Sequence, residues 1–262
     1  MREISSVSWF VGVDVGGTFT DFFAIKALTG EIKYFKRPST PANPGQAVVD
    51  GLKEMCRSLE IDPTEINRLC HGTTVATNSL IQTNGGKVAL ITTEGFRDLL
   101  EIGRQTRPHM YSLQEDQPEP IVPRDRRFEA KERINSNGEI IKPLDELELA
   151  KVFDAIEQCT ADSVAVCCLF SFLNKETEFR IEELFKQRFP ELPLSLSSRV
   201  RPEFREYERC STTVLNAYLQ PVMDHYLIHL EKEMKGYIPD APLRIYQSSG
   251  GLMSIETSKA FP

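Results

Sequence analysis

The residues best suited to chemistry stand near the start of the chain, in the stretch VGVDVGGTFTD from Val11 to Asp21. An apolar run from Trp9 to Val15 predicts a strand that carries Asp14 to its carboxyl end, and a second strand is predicted from Thr20. Glycines between two strands let backbone N–H groups come close to a phosphate, because no side chain stands in the way. The stretch therefore predicts a phosphate-binding hairpin. The alternative is an ordinary tight hairpin with a surface aspartate.

Within this hairpin, we expect four residues to hold phosphate oxygens through backbone or hydroxyl donors: Gly16, Gly17, Thr18 and Thr20. Asp14 is placed to hold a hydrated Mg²⁺ ion or to position a nucleophile. The pattern matches neither G-x-x-x-x-G-K-[ST] nor G-x-G-x-x-G, so it is neither a P-loop nor a Rossmann fingerprint.

A second polar group follows a short predicted strand. His71 ends that strand, and it either donates to a phosphate or a substrate carbonyl or is a structural histidine with its hydrogen bonds satisfied. Thr73 and Thr74 bind the nucleotide or simply cap the helix predicted from Thr74 to Gln82. Asn78 lies one helical turn after Thr74, so both face one side. Asn78 then lines the substrate site or is tied to the backbone.

A third candidate group begins where the regular pattern of the chain breaks. Arg104 and Arg107 are candidates for a bidentate clamp on an anionic substrate, with surface salt bridges as the alternative. The stretch from Arg104 to Pro143 is rich in proline, arginine and glutamate, and loops of this length are usually functional or disordered. We expect it to be an excursion that packs over the mouth of a cleft without completing the central sheet.

The elements that position these groups alternate between short β runs and helical stretches. The alternation predicts an α/β domain with a largely buried mixed sheet. A long helix is predicted from Glu208 to Met234, with apolar positions every three or four residues. Glu206 and Glu208 are expected to stabilise the start of that helix by interacting with its dipole, and the alternative role of general base is less favoured. His225 and His229 stand four apart on it, but core packing is favoured over a metal site.

Composition sets limits on the class of protein. The chain has 262 residues, of which 40% are hydrophobic and 26% charged, which is typical of a core-forming globular protein. Its net charge of −7 argues against binding to a nucleic-acid backbone. The sequence contains no run of about 18 apolar residues, so it predicts no membrane span. The six cysteines include no CxxC pair, which favours neither zinc nor thiol redox chemistry and indicates the reducing cytosol.

Several stretches, in order, resemble one known family. The stretch Asp14–Asp21 resembles the first phosphate motif of the actin, sugar kinase and heat-shock 70 ATPases, and is most similar to the hydantoinase A/5-oxoprolinase branch. The other stretches that carry the resemblance are His71–Asn78, Thr93–Asp98, Glu101–Gln105, Glu206–Arg209, Asn216–Tyr218 and Gln247–Gly251.

The resemblance implies a ribonuclease H-like, actin-like ATPase fold whose first three strands are antiparallel and whose later strands are parallel. It also implies ATP and Mg²⁺ as cofactors and a cyclic amide as substrate, with 5-oxoproline and N-methylhydantoin as family examples. Two alternatives stay open: the ATP-handling subunit of an acetone- or acetophenone-type carboxylase, and a non-catalytic reactivating chaperone ATPase. The family implies a hydantoinase B-type subunit or fused region as partner, an oligomer and a cytoplasmic location.

The chain also departs from the family pattern. A second Asp-x-Gly-Gly-Thr-type hairpin and a Gly-Pro-Ala-Gly-Gly-like segment are not found before Pro262. We therefore expect the chain to be the N-terminal part of a longer subunit. Residues 1–200 would form the first lobe, and residues 201–262 the long helix and the start of a second lobe.

Overall fold

The computed structural model describes residues 8–40, 44–106, 111 and 118–262. They fall into two compact units, which are treated separately. The first unit comprises the described residues up to Asn84 together with Val222–Pro262, and the second comprises those of Gly85–Pro221. Arg107 lies outside the described residues, together with residues 108–110 and 112–117.

Twelve strands and eight α-helices make up the described chain. The strands are β1 Trp9–Val15, β2 Phe19–Lys26, β3 Ile32–Pro38, β4 Ile66–Thr73, β5 Val88–Thr93, β6 Arg127–Ala130, β7 Arg133–Ile134, β8 Ile140–Lys142, β9 Ser163–Cys167, β10 Leu194–Leu196, β11 Leu243–Tyr246 and β12 Leu252–Met253. The helices are α1 Pro44–Ser58, α2 Val75–Ile81, α3 Leu99–Ile102, α4 Glu146–Gln158, α5 Glu176–Arg188, α6 Ser197–Val200, α7 Glu206–Tyr237 and α8 Ile255–Ala260.

The first unit is built on a six-stranded mixed sheet in the order β12-β11-β4-β1-β2-β3. The strands β1, β2 and β3 are antiparallel neighbours, whereas β4 pairs with β1 in parallel and β11 pairs with β4 in parallel. Burial alternates along β1, since Trp9, Val11, Val13 and Val15 are buried. One hydrophobic core joins these residues to residues of α1 and of the second half of α7. The predicted directions are confirmed for β1 to β4 and for β11, whereas β12 pairs with β11 in the antiparallel direction.

The second unit has a four-stranded parallel sheet in the order β10-β9-β5-β6. All positions of β5 and β9 are buried, as expected for central strands of a parallel sheet. Helices α4 and α5 contribute Phe153, Ile181 and Phe185 to the core of this unit. Cys167 and Cys168 are buried, and all six cysteines, which lie within the described residues, are free thiols.

The predicted excursion from Arg104 to Pro143 is only partly correct. Its described residues leave the six-stranded sheet untouched, but β6 forms an edge of the four-stranded sheet, and Ala130 and Ile134 are fully buried. The reason lies in the spacing of the prolines. Pro108, Pro118, Pro120 and Pro123 all precede β6, so no residue of the strand itself lacks a ladder donor.

Among the described residues, no helix combines the length and the apolar character that crossing a membrane requires.

Candidate active site

The carboxyl ends of β1, β4 and β11 meet at one edge of the six-stranded sheet, because these neighbouring strands run in parallel. Such an edge is where open α/β sheets usually bind their ligands. Asp14 is the last exposed residue of β1 before the turn, and it is paired in register with Gly72 of β4. The exposed carboxylate therefore stands at the centre of this edge.

The turn between β1 and β2 exposes two amide donors. Gly16 closes the turn by donating its N–H to the Phe19 carbonyl at 3.0 Å. The amides of Gly17 and Thr18 have no hydrogen-bond acceptor in the described part of the chain, and both residues are exposed. A Cβ added at Gly17 would meet no atom within 4 Å, so the space in front of this turn is open. An anion has room and two adjacent donors there.

The structure changes two of the predicted phosphate contacts. The Gly16 amide is used within the turn, so it has no N–H to offer a ligand. Thr20 is fully buried, and its Oγ1 lies 2.9 Å from Oγ of Ser39. Contact between Thr20 and phosphate stays a prediction, and this burial does not favour it, because alternation along β2 turns Thr20 toward the core while Phe19 faces out.

Ser39 is a residue that the sequence analysis missed. Its hydroxyl donates to the Gly16 carbonyl at 2.8 Å, and its amide donates to the Thr18 carbonyl at 2.9 Å. Because the Ser39 proton is used in this way, Thr20 donates to Ser39. Ser39 thus fixes both sides of the turn from a position after β3. No local sequence signal pointed to it, because the contact depends on strand pairing.

Asp14 has an acidic neighbour across the hairpin. It is in register with Asp21 of β2, whose carboxylate accepts from the Tyr34 hydroxyl and is 3.1 Å from Lys36 Nζ. The Tyr34 hydrogen bond, with help from Lys36, holds the pKa of Asp21 below its ordinary value. Asp21 is therefore ionised and already engaged, which leaves Asp14 as the available carboxylate of the pair.

Gly72 allows Asp14 to lie against β4. A Cβ added at Gly72 would stand 3.0 Å from Oδ1 of Asp14, which is closer than ordinary carbon–oxygen contact. The absence of a side chain at position 72 therefore fixes where the Asp14 carboxylate can sit.

His71 is buried on the opposite side of β4. Its ring is fully buried, and Nε2 lies 2.6 Å from Oη of Tyr226 on α7. Burial lowers the pKa of His71 to about 4, partly opposed by the Val13 carbonyl, so the ring is neutral at pH 7. Direct contact with a phosphate or substrate stays a prediction, and this burial does not favour it.

Thr73, Thr74 and Asn78 lie at the start of α2. Thr73 Oγ1 accepts from the amide of Val75, the first residue of α2, at 3.2 Å, whereas Thr74 at the N-cap position makes no side-chain capping hydrogen bond. Thr74 and Asn78 are exposed and lie side by side, with Asn78 Nδ2 3.3 Å from Thr74 Oγ1. The predicted common face of Thr74 and Asn78 is confirmed, whereas their ligand contacts stay a prediction.

Arg104 lies in the second unit, just after α3. It forms a bidentate ion pair with Glu208, in the first turn of α7, at 2.5–2.8 Å. Glu206 is the first residue of α7, also in its first turn. His225 is exposed on α7, and no group of three or more metal-binding side chains occurs within the described residues.

The donors at the sheet edge fit a hydrated magnesium ion better than a metal held by protein alone. Mg²⁺ is usually held by one or two carboxylates, several waters and substrate phosphates. Asp14 supplies one exposed carboxylate in open space, which suits that mode of binding.

The chain was compared with known proteins. Residues 10–189 match the family model for the hydantoinase/oxoprolinase N-terminal region, and residues 209–262 match that for hydantoinase/oxoprolinase. Caprolactamase subunit alpha of Pseudomonas jessenii is 36% identical over 255 residues, which is 95% of this chain and 36% of that protein.

Two further relatives differ in activity. Acetophenone carboxylase gamma subunit of Aromatoleum aromaticum is 33% identical, over 82% of this chain and 31% of that protein. The 5-oxoprolinase of Dictyostelium discoideum is 28% identical, over 95% of this chain and 22% of that protein. The chain thus spans about a third or less of the length of these relatives.

A solved structure supports the fold. The crystal structure of the ATP-dependent caprolactamase from Pseudomonas jessenii superposes with a TM-score of 0.83 at 34% identity, covering 93% of this chain and 36% of that chain. The predicted fold class, a mixed α/β sheet with flanking helices of the actin-like ATPase type, is confirmed.

Proposed function

Because the chain belongs to the hydantoinase/oxoprolinase family, we propose that it carries the first phosphate-binding hairpin of an ATP-dependent enzyme that hydrolyses cyclic amides. The observation that carries this proposal is the exposed Asp14 carboxylate next to the unpaired amides of Gly17 and Thr18. The relative named as an ATP-dependent caprolactamase supports both the nucleotide and the substrate class.

The proposed chemistry follows from the resistance of amides to water. Resonance in the C–N bond makes the amide carbon a poor electrophile. Transfer of the γ-phosphoryl group of ATP to the amide oxygen releases ADP and makes the ring carbon more electrophilic, so water adds to that carbon. The C–N bond then breaks and the ring nitrogen leaves as an amine, which opens the ring. Hydrolysis of the acyl phosphate that remains gives the carboxylate and inorganic phosphate. Positioning and electrostatic stabilisation carry most of the work in such a transfer.

Each residue of the hairpin has a role in this proposal. The amides of Gly17 and Thr18 and the hydroxyls of Thr18 and Thr74 hold phosphate oxygens. Asp14 holds the water shell of Mg²⁺, which when bound neutralises charge on the phosphates. Gly16 shapes the turn through its bond to Phe19 and supplies no donor.

The proposal includes a second polypeptide and a cytoplasmic location. The caprolactamase and acetophenone carboxylase relatives are named as subunits, which supports a partner subunit or fused region of hydantoinase B type. The free thiols of the described cysteines agree with a reducing compartment.

The test is lactam-dependent ATP hydrolysis by the full-length protein with its partner subunit. We expect phosphate release to require a cyclic amide, and Asp14→Asn to lower turnover by about two orders of magnitude or more. Asp14 is exposed, so the variant should keep the fold. Asp154→Asn, which changes an exposed aspartate paired with Arg188, is the matched control. Near-normal turnover in folded Asp14→Asn would contradict the assignment.

A second candidate is the ATP-handling part of a ketone carboxylase. The 33% identity to the acetophenone carboxylase subunit favours it. In that case ATP hydrolysis would require a ketone together with bicarbonate and would ignore lactams, so the same assay separates the two activities.

A further inference from the structure

The second unit contains a cavity of about 360 Å³ that the nucleotide hairpin does not use. Its walls come from three segments: residues 100–106, residues 118–121, and one face of α7. The lining is mixed, with apolar Leu100, Ile102 and Ile121 and polar Tyr207 and Ser211. Small-molecule sites of roughly 300–1,000 Å³ with few polar groups have this character.

Two stretches of the sequence that are far apart build this cavity together. The first runs from Glu101 to Gln105 and the second from Glu206 to Arg209, and neither has a role in the proposed nucleotide site. They meet where a Cβ at Gly103 would stand 3.6 Å from the Tyr207 ring. Gln105, which is not a glycine, has a left-handed backbone there, with φ +55°. Strain of this kind persists where surrounding structure fixes it, and it concentrates at ligand sites.

An ion pair stands at the edge of the cavity. Arg104, which lines it, donates from Nε and Nη2 to Glu208 at 2.5–2.8 Å. Hydrogen bonding from Arg104 holds the pKa of Glu208 below its ordinary value, so Glu208 is ionised at pH 7. The planar fork of Arg104 is therefore already occupied by a carboxylate.

The remaining charges of the lining are negative. Glu101 and Glu119 both line the cavity, and Arg104 is the one cation among its lining residues within the described chain. Glu101 accepts from Arg127 Nη1 at 2.9 Å, while Arg127 itself is buried. A ligand carboxylate would have to displace Glu208 and approach two further carboxylates. An uncharged ligand meets neither cost.

We propose that this cavity binds an uncharged cyclic amide and that the Arg104–Glu208 pair excludes lactams that carry a carboxylate. Ring methylenes would pack on the apolar lining, and the amide would exchange hydrogen bonds with the Tyr207 and Ser211 hydroxyls. This inference rests on the proposed function, because it names the substrate class within the cyclic amides.

The test uses two lactams with the same five-membered ring and different charge: 2-pyrrolidone, which is neutral, and 5-oxoproline, which carries a carboxylate. Binding to the 262-residue chain is measured by ligand-observed NMR titration. We expect 2-pyrrolidone to bind at least about tenfold more tightly than 5-oxoproline. Equal or tighter binding of 5-oxoproline would overturn the proposal, and so would no binding of 2-pyrrolidone.

Variants assign the binding to the cavity. Glu208→Gln leaves Arg104 without its carboxylate, so the affinity for 5-oxoproline should rise at least about tenfold relative to 2-pyrrolidone. Glu182→Gln is the matched control, because it breaks another bidentate pair, with Arg199 at 2.6 Å, outside the cavity. Ser211→Phe fills the cavity and should weaken 2-pyrrolidone binding. An unchanged ligand preference in Glu208→Gln would refute the assignment even if Ser211→Phe does not fold.

This inference and the proposed function fail in different ways. If the chain shows these preferences but lactams do not stimulate ATP hydrolysis by the full-length protein, the proposed function is wrong and the cavity assignment stands. If lactams stimulate hydrolysis but the variants leave binding unchanged, the cavity assignment is wrong.

Discussion

At the scale of single residues, Asp14 depends on the strand beside it as much as on its own hairpin. Gly72 leaves the space that the Asp14 carboxylate occupies. The neighbouring Asp21 carboxylate is already bound to Tyr34 and Lys36, so it is not available to a ligand. These contacts come from strand register, which links residues 58 positions apart in the case of Asp14 and Gly72. The sequence motif identifies the carboxylate, and the neighbouring strands determine its availability.

Gly72→Ala tests whether activity depends on the position of the Asp14 carboxylate, because the variant keeps Asp14 but changes the space beside it. The new Cβ would stand 3.0 Å from Oδ1 of Asp14, so the carboxylate must move. We expect lactam-dependent ATP turnover of the full-length protein to fall roughly 10–100-fold, as misplacement of a positioning group does. Gly12→Ala is the matched control, since a Cβ at Gly12 on β1 meets nothing within 4 Å. Equal activity in the two variants would show that this contact has no role.

His71 should make stability depend on pH. Burial lowers its pKa from 6.5 to about 4, so between these values the unfolded chain binds a proton that the folded chain does not. The unfolding free energy therefore falls as pH falls through this window, by up to about 3 kcal/mol. Urea titrations from pH 7 to 4 should show a smaller fall in His71→Gln than in the unchanged chain. His225→Gln, at an exposed position, should keep the full fall, and parallel curves for His71→Gln and the unchanged chain would contradict the prediction.

At the scale of elements, the sequence predicted the β1–β2 hairpin and the alternation of strands with helices, but it did not predict how the strands divide between sheets. An apolar run located β1, and β2 begins one residue before its predicted start at Thr20, because apolar patterning is a local property. The four-stranded sheet was missed as a separate sheet, since periodicity does not identify partners. The same limit explains β6, which proline density suggested was part of an excursion, and Thr20, whose direction depends on the register of β2.

The turn between β1 and β2 should lose stability without Ser39. In Ser39→Ala, the fully buried Thr20 hydroxyl loses its acceptor, which should cost about 1–3 kcal/mol of unfolding free energy. Adding Thr20→Val should restore most of this loss, because no buried polar group is then left unpaired. Thr29→Ala, in the exposed turn before β3, is the control and should change little. Denaturant unfolding curves measure the unfolding free energy of each variant. A double variant as unstable as Ser39→Ala would count against a stabilising role for the Thr20–Ser39 hydrogen bond.

At the scale of the whole molecule, the chain contains the one hairpin proposed to bind phosphate, while its relatives are about three times longer or more. Strands β11 and β12 belong to the sheet that contains β1, and residues from the second half of α7 belong to the hydrophobic core of that unit. The division into a first lobe and the start of a second stays a prediction. Within the described part of the chain, the space in front of the turn is open, since a Cβ added at Gly17 would meet no atom within 4 Å.

This exposure predicts weak nucleotide binding by the 262-residue chain. The available donors at the hairpin are few, chiefly the amides of Gly17 and Thr18, and each bond made in contact with water contributes only about 1 kcal/mol. Such bonds must offset roughly 4 kcal/mol or more of lost translational and rotational freedom. We therefore expect a dissociation constant for Mg-ATP in the millimolar range or weaker, and no lactam hydrolysis by this chain. Isothermal titration measures the affinity, with Asp14→Asn as the comparison for the magnesium contribution. A micromolar constant would mean that these residues suffice for nucleotide binding, and the dependence on a second lobe would then have to be abandoned.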